Sequence, residues 1–165
     1  MRNRIAQRRS VLLSFIVLLL ALLACKSKPA NDPKLGDKVN FDDSQWQVVK
    51  ADIVGNNIQG FTGNKKTSGK FLKVEFTVMN TSKQDESILA HPKVYDDQGR
   101  EFGPLDDQSL YMSENETSMT LESLPPSIMK RFWAIYELPA GAKGLRFEAR
   151  ALAAFGDTRK VVLGI

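Results

Sequence analysis

From residue 35 onward, apolar and polar positions alternate with a period of two, in short runs punctuated by Gly, Asn, Asp and Pro. No stretch of ten residues sustains the 3.6-residue stripe of an amphipathic helix, so the pattern predicts an all-β domain. Lys38 to Phe41 alternates through Val39 and Phe41. Gln45 to Val54 carries Trp46 and Val48 and then, with parity changed, Ala51 and Ile53, which predicts a bulge between Val48 and Ala51. The clearest strand is Lys70 to Met79, with Leu72, Val74, Phe76 and Val78 on a core face and Lys73, Glu75 and Thr77 on the other.

A polar turn, NTSKQDE, leads to Ile88-Leu89, and Pro92 interrupts before Lys93 to Tyr95. Asp96-Asp97-Gln98-Gly99 reads as a hairpin turn whose glycine supplies positive φ, and Arg100 to Phe102 returns. Residues 103–120 form a long polar stretch around Leu110-Tyr111-Met112, with room for one helical turn. Strands follow at Ile128 to Leu138, Gly144 to Ala151 and Lys160 to Ile165. Seven to eight short strands at this spacing predict a two-sheet antiparallel β-sandwich. Its expected inter-sheet core is Trp46, Val48, Leu72, Val74, Phe76, Val78, Phe132, Tyr136 and Phe147.

The N-terminal residues follow a different rule. Residues 1–10 are basic, and residues 11–24 form an apolar run that ends immediately before Cys25, the single cysteine of the 165-residue chain. A helix of that length spans about 21 Å, short of the ~30 Å hydrocarbon core, so a signal peptide is expected and not a permanent span. The leader also explains the charge. Four of the 23 basic residues lie in it with no acid, so its removal leaves a balanced chain in place of the formal +4. A balanced domain lacks the basic footprint that nucleic acid requires, and no nucleic-acid partner is expected. After Cys25, KSKPANDPKLG is polar and carries Pro29 and Pro33. Residues 25–35 are therefore expected to be a flexible tether reaching about 30 Å, and residues 36–165 the folded domain.

Leu22-Leu23-Ala24-Cys25 resembles the lipobox of bacterial lipoproteins. That resemblance implies a diacylglycerol on the Cys25 sulfur, cleavage after Ala24, acylation such as palmitate at the new N-terminus, and a lipid bilayer as first partner. Two or more acyl chains give a lasting anchor where one gives reversible binding. Within the domain, an ordered set of signals is similar to the telokin-like immunoglobulin-fold domains of bacterial lipoproteins, a family of unknown function. The set is Leu35-Gly36-Asp37, Gly69-Lys70-Phe71, Val78-Met79-Asn80, the run from Asp96 to Phe102, Tyr136-Glu137-Leu138-Pro139 and Leu145-Arg146-Phe147. The chain departs from that pattern at Pro125-Pro126-Ser127, where Pro followed by Gly is expected. The resemblance implies an immunoglobulin-like sandwich, a bacterial cell-envelope location on the extracytoplasmic side of a membrane, and an interaction role. It implies no cofactor and no catalytic residue.

Searching for chemistry gives little. His91 is the sole histidine, without the local signature of a nucleophile or a partner acid, so neither a catalytic triad nor a zinc site is expected. His91 with Met79, Met112, Met119 and Met129 contains soft donors of the kind copper carriers use, which makes a small-ligand or copper carrier the alternative to a binding module. The pairs Asp42-Asp43, Asp96-Asp97 and Asp106-Asp107 lack the alternating-acid loop of calcium sites and read as turn formers. The run from Gly63 to Lys70 has the wrong glycine spacing for a phosphate loop, and a strand follows it.

Binding surfaces remain. Residues 56–69 and 103–120 are expected to be long loops, the usual carriers of recognition, with Phe61, Lys65, Lys66 and Tyr111 as their contact residues. Lys65 and Lys66 suit an anionic lipid or polysaccharide, and an envelope protein is the other partner class. The competing expectation is that Phe61 and Tyr111 cap the sandwich. In Ile128 to Leu138 the second parity, with Met129, Trp133 and Ile135, is also apolar, so it is either covered by a loop or open to a partner.

Overall fold

The computed structural model describes residues 31–88, 90–119, 123–153 and 156–165. The leader 1–24, Cys25 and tether residues 26–30 lie outside the described residues, as does Leu89. Asp32–Ile165 forms one compact unit.

Ten strands are described: β1 (Lys38–Asn40), β2 (Ser44–Gly60), β3 (Gly63–Asn80), β4 (Glu86–Ser87), β5 (Val94–Tyr95), β6 (Glu101–Phe102), β7 (Ser123–Leu124), β8 (Met129–Leu138), β9 (Arg146–Arg150) and β10 (Thr158–Val162). They form an antiparallel sheet in the order β1-β2-β3-β8, a second in the order β10-β9-β5-β6, and a small β4-β7 pair. The fold is the all-β, two-sheet sandwich that the alternation predicts. The count exceeds seven to eight because β4, β5, β6 and β7 are two-residue ladders.

All nine expected core side chains are buried in one cluster between the sheets. Trp46 stacks on Phe76 at 5.7 Å, and Phe76 lies 5.0 Å from Phe147 and 5.9 Å from Phe132, so aromatic rings from both sheets form the centre. Tyr136 is buried with them, and its hydroxyl donates to the Pro92 carbonyl at 2.9 Å. Burial pushes its phenol pKa up.

Two turns show how local chemistry sets the strand ends. The Asp96 carboxylate accepts from the Gln98 and Arg100 N–H groups and from Arg100 Nε, and Gly99 closes the turn at φ 75°. Burial alone would raise that carboxyl, but the Arg100 bonds outweigh it and hold the pKa below the usual aspartate range. At the other end of the sandwich, buried Asn80 donates to the carbonyls of Gln84 and Leu124, both at 2.7 Å, and accepts from the Ser82 N–H. The neighbouring turn places Ser127 at φ 60°, a conformation that favours glycine.

Three expectations are corrected. The domain begins before residue 36: Lys34 bridges Val162, whose N–H donates to the Pro33 carbonyl, so tether residues 33–35 belong to the sheet. A proline at a strand start forfeits no ladder donor. Second, residues 56–69 are strand and not loop. β2 and β3 stay paired to Gly60↔Gly63, and the side-chain alternation fades there because most of the ribbon faces water on both sides. Third, the register shifts at Val48/Lys50, as expected, but again at Ile53/Gly55 and Gly55/Asn57. β1 pairs β2 only over Gln45–Gln47, so β2 is a sheet edge from Lys50 onward, and Ile53 is exposed where it was expected beside buried Ala51.

Candidate functional site

The β2-β3 ribbon ends in the two-residue turn Phe61-Thr62. Phe61 is 72% exposed, the highest value among the large apolar side chains described. The turn itself is fixed. The Phe61 N–H donates to the Leu110 carbonyl at 3.0 Å, and Lys65 Nζ reaches Asp107 Oδ2 at 2.8 Å. Gly60 lies so close that a Cβ there would meet the Leu110 oxygen at 2.2 Å, so only glycine permits this approach. The Asp107 hydrogen bond raises the Lys65 pKa, and the same bond lowers that of Asp107. Lys65 is therefore a strut, its ammonium also 5.8 Å from the Tyr111 ring, and Lys66 is the exposed lysine of the pair.

Residues 103–118 run beside β8 and over the outer face of β3 and β8, and Met119 enters the inter-sheet core. They include the expected helical turn, a short 3-10 helix at Gln108–Tyr111. Ile58, Phe71, Met112 and Ile135 form a second buried cluster there, with Leu105, Tyr111 and Trp133 packed on it. The segment also satisfies the free edge of β8. Leu105 N–H donates to the Ile135 carbonyl at 2.8 Å, Ile135 N–H to Gln108 Oε1 at 3.0 Å, and Trp133 N–H to the Thr117 carbonyl at 2.9 Å. This half of the polar stretch is a structural cover.

The expected contact residues consequently separate. Phe61 and Lys66 are exposed on the ribbon, whereas Tyr111 is half-buried as a cap. Trp133 is half-buried in a recess of about 230 Å³ with Lys50, Asp52, Lys73, Glu75 and Glu116. Burial alone would raise the Glu116 carboxyl, but hydrogen bonds from Lys73 and the Ser113 N–H outweigh it and lower the pKa. Met129 is 50% exposed but pairs with Met79, at the opposite end of β3 from the ribbon turn. It is therefore no part of the surface around Phe61. Cys25 lies outside the described residues.

The five soft donors do not converge on one point: Met79 pairs with Met129, and His91 and Met119 line one cleft, apart from Met112. Met112 belongs to the outer cluster, Met119 to the inter-sheet core, and Met129 to the far end of β8, while His91 is exposed. The aspartate pairs act as turn formers: Asp43 accepts from Ser44 and from the Ala153 N–H, and Asp107 holds Lys65. Sequence reasoning missed Phe71 and Ile58. Phe71 breaks the polar face of its strand, the one signal that could have revealed a covered second face.

No family model matches the chain, and no curated protein matches it. Solved structures do. The yjhA protein of Bacillus subtilis is 16% identical with a TM-score of 0.63, covering 79% of this chain and 99% of its own. MPT63, a secreted protein of Mycobacterium tuberculosis, is 11% identical with a TM-score of 0.50, covering 81% and 98%. The Bacillus subtilis ycdA protein, described as a candidate lipoprotein, is 12% identical with a TM-score of 0.52, covering 76% of this chain and 38% of its own. The chain shares the β-sandwich fold of a set of bacterial proteins that includes a secreted one and a candidate lipoprotein.

Proposed function

We propose that this chain is a lipid-anchored module of a bacterial cell envelope, of the telokin-like immunoglobulin-fold kind, that binds another envelope component and catalyses nothing. The lipobox residues Leu22-Leu23-Ala24-Cys25 support the anchor, and the secreted and candidate lipoprotein structures of the same fold support the location. The observation that carries the binding role is Phe61. A phenylalanine 72% exposed at the end of a ribbon pinned by Leu110 and Asp107 presents apolar area at little ordering cost. Its partner is an envelope protein or polysaccharide reached by Phe61 and Lys66.

A photocrosslinking residue at position 61 in the intact envelope is expected to trap that component. The same residue at Thr158, exposed on β10, is not. Equal labelling at both positions would overturn the ribbon's role. Cys25→Ser is expected to abolish fatty-acid labelling and release the protein from membranes; retention of the variant would overturn the lipid anchor.

A further inference from the structure

A cleft of about 510 Å³ opens between the His91–Lys93 segment and residues 103–109, with Ser118 and Met119 on its wall. That volume falls within the ~300–1,000 Å³ of small-molecule sites. Pro104, Leu105 and Met119 supply an apolar lining. Gln108 gives the cleft a fixed donor. Its side chain is buried, and its Oε1 accepts from the Ile135 N–H, so its Nε2 is left as a donor with no hydrogen-bond partner among the described residues. That nitrogen is not sealed, because Trp46 Nε1 is the one fully buried side-chain polar atom without a partner among the described residues. Gln108 itself lines the cleft. Lys93, whose ammonium Glu101 holds, and Asp106 line the same cleft.

We propose that this cleft binds a small amphipathic ligand with an apolar or aromatic body and a terminal carboxylate. The body packs on Pro104, Leu105 and Met119. The carboxylate, an acceptor without donors, takes the Gln108 amide N–H and faces Lys93. A donor held by the backbone of β8 needs no reordering when the ligand arrives. This site shares no contact residue with the ribbon turn and stands independently of the function proposed above.

The test uses the full chain in lipid nanodiscs with methyl-labelled methionine, titrated with 4-phenylbutyrate and with its uncharged amide. A saturable shift of the Met119 methyl is expected, with Met79 and Met129 unmoved. Gln108→Glu keeps an acceptor for the Ile135 N–H and places negative charge where the donor stood. It is expected to weaken 4-phenylbutyrate about ten-fold or more while changing the amide by less than about two-fold. An unmoved Met112 methyl in that variant reports an intact outer cluster. Should Gln108→Glu not fold, Lys93→Gln decides, with an expected loss of about three-fold or more for the carboxylate alone. No saturable shift at Met119, or equal carboxylate affinity in the parent and the folded variant, overturns the proposal.

Discussion

Phe61 and Tyr111 flank the junction closed by the Phe61 N–H bond to the Leu110 carbonyl, yet one is surface and the other a half-buried cap. Phe61→Ala is expected to change the urea midpoint by the equivalent of less than about 0.5 kcal/mol, because its side chain leaves little water on folding. Tyr111→Ala, which uncovers Ile58 and Ile135, should lose about 1–2 kcal/mol, and Phe71→Ala about 3–5 kcal/mol, as much as Phe76→Ala in the central core. A Phe71→Ala midpoint equal to that of Phe61→Ala would show that the outer cluster contributes no stability. Ser127 offers the opposite sign. Held at φ 60°, it pays a steric cost that glycine avoids, and Ser127→Gly should raise stability by about 0.5–1 kcal/mol in the same measurement.

At the scale of elements, the outer segment 103–118 is attached by ion pairs as well as by apolar packing. Asp107 is held below its usual pKa of 3.8 by Lys65, and Glu116 below its usual 4.5 by Lys73 and Ser113, against the effect of burial. A carboxyl whose folded pKa is depressed stabilises fully above its unfolded value and loses that contribution as pH falls through the folded value. Residues 103–118 should therefore loosen as pH drops below about 4, before the inter-sheet core does. Amide exchange of Ile135 and Trp133, whose N–H groups bond to that segment, should accelerate relative to the β2-β3 amides around Phe76. Parallel acceleration of both sets would show that the segment and the core open together.

For the molecule as a whole, closure of the sandwich depends on a buried polar knot. Asn80 ties the end of β3 to the turn at Gln84 and to β7, and no water reaches it to replace those bonds. Asn80→Ala leaves the Leu124 carbonyl unpaired in the interior and is expected to lower stability by about 2–3 kcal/mol in equilibrium unfolding. An unchanged midpoint would show that β7 is satisfied without it.

The central face of the sandwich was legible in the chain itself. Leu72, Val74, Phe76 and Val78 alternate against polar neighbours, and a period of two can serve only a strand with one buried face. The bulge after Val48 was legible for the same reason, as a break in parity. What covers the other face was not. Residues 103–118 carry few apolar side chains, and their hold on β8 comes through backbone groups of Leu105 and Thr117 and one glutamine, which leave no periodic trace. The same holds for the ribbon at 56–69, where pairing is backbone to backbone and Gly60 matters only because Leu110 is near. Alternation records which side of a strand leaves water; tertiary structure alone decides what it meets there, and so which of Phe61, Lys65, Tyr111 and Trp133 remain free to bind.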